Sequence, residues 1–187
     1  MKIRAAAVED APALGRVMVT SWLSAHRGQM PDAAWQKRVA EWTPEVSARA
    51  WARLLHECAD DREMRVVLLV ADDEDGNLVA LALGRAAEDD PSGLAAQLDA
   101  LYVLPDRQGH GVGRWLLREA AGELASLGFA RLLVGVLTAN LPARAFYEAM
   151  GGREIAQRSA DEEGYLLPET VYAWDDIAAL GGPSAPA

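Results

Sequence analysis

LDALYVLPDRQGHGVGRWLL, residues 98–117, is the stretch that decides the fold. Leu98 to Leu104 is an apolar, strand-like run that stops at Pro105, where the backbone lacks an N–H for a sheet ladder. Gln108-Gly109-His110-Gly111-Val112-Gly113 follows as a polar, glycine-rich turn and opens directly into an amphipathic helix. Val112, Leu116, Ala120 and Leu124 form one stripe of that helix, with Leu117 and Ala121 beside it. Strand, glycine turn and helix in this order make an anion site suited to pyrophosphate. The first-turn N–H groups have no intrahelical partner, and the helix dipole puts positive potential there. Glycines let the anion approach the backbone and permit positive φ where the turn requires it.

Spacing excludes two phosphate loops. A P-loop needs Gly-Lys before Ser or Thr, and the chain has no Gly-Lys pair. The dinucleotide fingerprint needs Gly-x-Gly-x-x-Gly, whereas Gly109, Gly111 and Gly113 are spaced Gly-x-Gly-x-Gly and Arg114 stands at the third position. What remains is Gln108-x-x-Gly111-x-Gly113. A second segment lies downstream: an apolar strand, Arg131 to Leu137, then Asn140-Leu-Pro-Ala-Arg-Ala-Phe-Tyr-Glu-Ala-Met-Gly-Gly152. Asn140 suits an N-cap and Pro142 the first helical turn. Ala143, Phe146, Tyr147 and Met150 share a face, and Gly151 and Gly152 end the helix.

The two segments together resemble the GNAT superfamily of N-acetyltransferases, whose acyl-CoA signature is Gln/Arg-x-x-Gly-x-Gly/Ala. The resemblance implies an α/β (α+β) GNAT fold: a central mixed, mostly antiparallel sheet of six to seven strands flanked by helices, in the order β-α-α-β-β-β-α-β-α-β-β. It implies acetyl-CoA as co-substrate, no metal, and acetyl transfer to a primary amine by direct attack. Backbone groups of Leu101, Tyr102 and Val103 would pair with pantetheine. Gln108, Gly109, His110, Gly111, Val112, Gly113 and Arg114 would hold the pyrophosphate, and Asn140 and Phe146 would contact the cofactor arm. Tyr147 would protonate the departing thiolate.

Relatives place a Glu early on the motif strand, and counting back from Gln108 puts Gln97 there, an amide that takes no proton at useful pH. Asp99, two residues on and on the same strand face, is the expected base, with His26 as second candidate and a water chain as a third route. Trp22, His26 and Trp35 fall in the helical region expected to wall the acceptor. The amide at Gln97 also admits a non-catalytic acyl-CoA-binding sensor or regulatory domain, while Tyr147 favours the enzyme.

Composition agrees with this reading. The 187 residues are 51% hydrophobic and 25% charged, as in a single globular domain, expected over 1–180 with a disordered tail at 181–187. A net charge of −10 disfavours nucleic acid as partner and suits a cationic acceptor, a small-molecule or peptide amine. An anionic ligand then needs a local site, for which Arg107, Arg114 and Arg118 stand near the motif. No apolar run approaches the ~20 residues needed to span a bilayer. Cys58 is the sole cysteine, which excludes an intrachain disulfide and suggests the cytoplasm. A homodimer is left open.

Elsewhere the pattern predicts a strand over Lys2–Ala7 and helices from Glu9 past Trp22, over Ala33–Val39 and over Pro44–Cys58. Next come a hairpin of Val66–Ala71 and Leu78–Leu83 across an acidic turn, and two last strands, Arg153–Arg158 and Thr170–Trp174. The polar Ser159–Gly164 stretch reads as their connecting loop.

Overall fold

The computed structural model describes residues 1–61, 64–88, 90–162 and 164–181; of the tail expected at 181–187, all but Gly181 lies outside the described residues. β1 (Lys2–Ala5) leads to α1 (Ala11–His26), α2 (Asp32–Glu41) and α3 (Pro44–Asp60). Then come β2 (Val66–Asp72), β3 (Leu78–Ala86), β4 (Ala95–Val103), α4 (Val112–Ser126), β5 (Arg131–Leu137) and α5 (Leu141–Ala149). β6 (Arg153–Glu162), β7 (Tyr165–Trp174) and a short α6 (Ile177–Leu180) complete the chain. Three helices separate β1 from β2, as the periodicity predicts and one more than the family order, because Gly28–Pro31 and the Thr43-Pro44 cap each interrupt the helical run; Thr43 Oγ1 accepts from the Val46 amide. α6 was not expected. It is capped by Asp176, whose carboxylate accepts from the amides of Ala178 and Ala179.

The seven strands form one sheet in the order β1-β2-β3-β4-β5-β7-β6. Every neighbouring pair is antiparallel except β4 and β5. α1 and α3 cover one face, where Leu14, Val17, Trp51 and Leu55 meet Leu68, Val70, Leu81 and Ala100. They approach closely: a Cβ on Gly15 would lie 2.3 Å from the Pro44 carbonyl oxygen. α4 covers the other face, burying the predicted stripe of Val112, Leu116, Ala120 and Leu124 against Leu69, Ala82 and Leu98. Each such leucine contributes about 1.5–3 kcal/mol through burial. Gly128, at φ +87°, ends α4, and Phe129 folds back into the same core as Leu124.

Two features of the strands also differ from the sequence expectation. Ser159 to Glu162 are not a loop: they continue β6, pairing in register with Pro168 down to Tyr165. Their polar side chains are compatible with a strand because β6 is an edge strand, largely exposed along its length. The second difference is a β-bulge in β4. Leu83 pairs with Ala100 and Gly84 with Leu98, so Asp99 is the extra residue. The bulge shifts the strand's alternation by one. Ala96 and Leu98 pack towards α4, and so do Leu101 and Val103; Ala100 and Tyr102 pack towards α1 and α3.

Candidate active site

β4 and β5 pair only over Ala95–Gln97 and Arg131–Leu133. Beyond that point they splay apart, leaving the β5-facing edge of β4 from Leu98 to Val103 without a strand partner. The wedge opens into a cleft of about 740 Å³ lined by Leu98–Val103 on one side and Val134–Leu137 on the other. The cleft passes through the sheet, with α4 and α5 on one face and α1 and α2 on the other.

On the α4 side the glycine turn reaches the cleft. Gly109 and Gly111 hold φ of +78° and +82°, in the left-handed region that favours glycine. Gly111 caps α4, and the first helical bond runs from the Trp115 amide to its carbonyl, so the amides of Val112, Gly113 and Arg114 have no partner within the helix. Gln108 Nε2 donates to the Val103 carbonyl at 2.9 Å, tying the turn to the end of β4. A Cβ on Gly113 would meet Val103 and Phe146 at ordinary contact distances of 3.6 and 3.7 Å, so alanine fits there. Asn140 caps α5 as expected, its Oδ1 accepting from the Ala143 amide at 3.2 Å. α5 presents Pro142, Ala143, Phe146 and Tyr147 to the cleft.

Tyr147 is 6% exposed and stands among Phe146, Tyr172 and Trp174, with ring centroids 5.1, 6.3 and 6.0 Å away. Among the described residues its hydroxyl has no hydrogen-bond partner. Burial pushes the phenol's pKa well above its ordinary value, and the nearby Tyr102 phenol adds to the shift.

The α1–α2 side is a chamber with an aromatic wall. Trp22 stacks on His26 at 4.5 Å and meets Trp42 edge-on at 5.4 Å. The Arg38 guanidinium lies 4.9 Å from the Trp22 ring centre and 5.2 Å from that of Trp42, and is ion-paired with Glu162 of β6 at 2.7 Å. Ser21 Oγ is fully buried in the lining and has no hydrogen-bond partner among the described residues. His26 Nδ1 bonds the Trp22 carbonyl at 2.9 Å, as donor in the neutral ring. Burial lowers the pKa of His26 and the charge of Arg38 lowers it further, outweighing that hydrogen bond.

The unfolded imidazole protonates near ~6.5 while the folded one resists. Stability should therefore be full above about pH 6.5 and fall as pH drops below it. His26→Gln should flatten that slope between about pH 6.5 and 5. Melting curves of both proteins across this window are the check, and parallel slopes would overturn it.

Most of the predicted residues converge here; three do not line the cleft. The Val112 side chain is buried in the core, which leaves only its amide at the helix N-terminus. His110, between two left-handed glycines, is turned out to solvent. Trp35 sits behind Trp22, stacked at 6.3 Å, because α2 turns Ala34 and Arg38 inward; Trp42 takes the expected place in the wall. Asp99 lies along the cleft, and its carboxylate is ion-paired with Arg85 of β3, which pairs in register with Gln97; Gln97 and Asp99 thus share a face, as expected. Burial raises the pKa of Asp99, and Arg85 opposes that shift.

Sequence reasoning missed Ser21, Arg38, Trp42, Glu162 and Glu169. One signal was present: Gly135 inside an apolar strand, a placement that marks close approach of another group.

The comparisons with known proteins agree with this geometry. The family model described as "Acetyltransferase (GNAT) family" matches residues 29–152, more than half of the chain. The uncharacterized N-acetyltransferase YuaI of Bacillus subtilis (strain 168) is 27% identical over 179 residues, covering 95% of each chain. The PaiA N-acetyltransferase of Thermoplasma acidophilum, solved with coenzyme A, superposes with a TM-score of 0.69 at 20% identity, over 90% of this chain and 96% of that one. The GNAT superfamily phosphinothricin acetyltransferase of Sinorhizobium meliloti, solved with acetyl-CoA, gives 0.70 at 20% identity, over 100% and 92%. The chain belongs to the acetyltransferase (GNAT) family of acetyl-CoA-dependent acyltransferases.

Proposed function

We propose that this protein transfers the acetyl group of acetyl-CoA to a primary amine of a small molecule or peptide by direct attack, in the cytoplasm. The observation that carries the reading is the splay of β4 from β5. It joins an anion-binding helix end on one face of the sheet to an aromatic chamber on the other, with Tyr147 on the wall between. The residues fit acetyl-CoA. The amides of Val112, Gly113 and Arg114 suit its pyrophosphate, the open edge of β4 at Leu101–Val103 suits the amides of pantetheine, and Asn140 and Phe146 flank that arm. A β4 amide in the wedge would polarise the thioester carbonyl. Solved relatives that hold coenzyme A or acetyl-CoA support the assignment.

Tyr147 supplies the thiolate's proton. The phenol holds that proton more tightly than a thiol does, so it leaves as the nitrogen's surplus proton returns. Trp22 stacked on His26, with Trp42 edge-on, offers an aromatic wall, and the Ser21 hydroxyl offers one hydrogen bond to the acceptor. Three carboxylates line the cleft on this face, Asp99, Glu162 and Glu169, and Asp99 and Glu169 are the ones we take as able to accept the ammonium proton.

Saturating acetyl-CoA should raise the melting temperature by mass action, whereas NAD should not. Free thiol should then appear with at least one amine from a panel of 2-phenylethylamine, spermidine, lysine and an alanyl peptide. An unchanged melting curve with no heat of binding would sink the reading. Binding without turnover of any amine would leave the sensor alternative in its place.

A further inference from the structure

β5 and β7 pair so that Leu137 faces Glu169 and Gly135 faces Val171. From its place opposite Leu137, the Glu169 side chain leans back along β5 and lies over Gly135. A Cβ built on Gly135 would stand 2.4 Å from Glu169 Oε1, so only glycine at 135 leaves the carboxylate where it is. Oε2 is ion-paired with Arg158 of β6, which anchors the group from the outer side. The whole carboxylate thus lies over Gly135, and both Gly135 and Glu169 line the cleft. Asp99 also lines the cleft and is likewise held from its outer neighbour strand, by Arg85 of β3, but among the described residues no glycine keeps a place open for it as Gly135 does for Glu169.

From this contrast we infer that Glu169, seated over Gly135, receives the ammonium group of the acceptor and takes its proton. The inference rests on the acyl-transfer reading above. The ammonium proton passes to Glu169, and the freed lone pair forms the N–C bond to the thioester carbonyl. The C–S bond breaks with its electron pair on sulfur, which takes the Tyr147 proton. The nitrogen's second proton restores Tyr147, and Glu169 releases its own to solvent. One proton leaves per turnover, as the conversion of an ammonium to an amide requires. Glycine at 135 then has a chemical reason beyond packing.

The test is the pH dependence of kcat/KM for the best amine of that panel, in wild type, Glu169→Gln, Gly135→Ala and Asp99→Asn. Arg158 is the direct ionic partner of Glu169. The other titratable or charged groups lining the cleft are Asp99 and Tyr102 on β4, His26 on α1, Arg38 on α2, Arg114 on α4, Tyr147 on α5 and Glu162 on β6. Without Glu169 the enzyme can use only amine already deprotonated in solution. Glu169→Gln should therefore lose about 100-fold near pH 7 with an alkyl amine, and the deficit should shrink as pH approaches the amine's own pKa, about 10 for an alkyl amine and about 8 for a peptide terminus. Gly135→Ala, which displaces the carboxylate, should show the same pH-dependent loss. Acetyl-CoA affinity by calorimetry should be unchanged in both.

A pH-independent loss would mark Glu169 as structural and overturn the assignment. A pH-dependent loss confined to Asp99→Asn would give the role to Asp99. Wild-type rates in Glu169→Gln would overturn this inference alone, whereas no turnover of any amine by the wild type would overturn it together with the transferase reading.

Discussion

Tyr147→Phe is expected to lower turnover about 100-fold or somewhat more while leaving acetyl-CoA affinity nearly unchanged. The substitution removes one hydroxyl and keeps the ring, so the contacts with Phe146, Tyr172 and Trp174 survive. That hydroxyl has no partner among the described residues, so its loss orphans nothing in the core, and the melting temperature should hardly move. Burial keeps the phenol protonated to higher pH than a free tyrosine, so the proton is available throughout the neutral and mildly alkaline range. The deficit should accordingly be constant across that range, unlike the one expected for Glu169→Gln. Steady-state kinetics with free-thiol detection, beside calorimetry for acetyl-CoA, separates the cases. A Phe variant that matches the wild-type rate would remove Tyr147 from the chemistry; one that loses stability with turnover intact would make it a packing residue.

Gly111→Val is expected to abolish acetyl-CoA binding in a protein that still folds. Gly111 holds φ +82°, and a β-branched residue there is strained by about 1–3 kcal/mol. Relief of that strain requires the turn to rearrange. Gly111 is the N-cap of α4, so rearrangement re-aims the amides of Val112, Gly113 and Arg114, the groups that suit an anion. The core stripe of α4 lies below this turn, which is why the fold should persist with a modest loss of melting temperature. Gly113→Ala is the internal comparison, because its Cβ meets only ordinary contacts and should leave binding near wild type. Calorimetry and circular dichroism on the two variants give the answer. Retained affinity in Gly111→Val would show that the loop is only a turn.

What the sequence alone made legible was local in origin. The glycine turn, the α4 stripe, the Asn140 cap and the two-glycine end of α5 each depend on residues within a few positions of one another, where backbone sterics and first-turn amides decide the outcome. The same locality explains why most helices and strands fall where their periodicity puts them, and why most residues of the glycine turn and of α5 singled out in the sequence line one cleft.

The chamber on the α1–α2 side depended on contacts between residues distant in sequence. Arg38 meets Glu162 across 124 positions, and Glu169 lies over Gly135 only because β7 is inserted between β5 and β6. Trp42 displaces Trp35 from the wall because the rotation of α2 is set by what it packs on. The bulge at Asp99 carries no local signature, yet it reverses the facing of every β4 residue beyond it. That reversal turns Leu101 and Val103 towards α4 and Tyr102 towards the chamber. Sequence periodicity determined that β4 is a strand and that a helix N-terminus follows it. Which face each later β4 residue serves, and that Glu169 lies over Gly135, was decided by strand pairing, because register is a property of two strands and not of one.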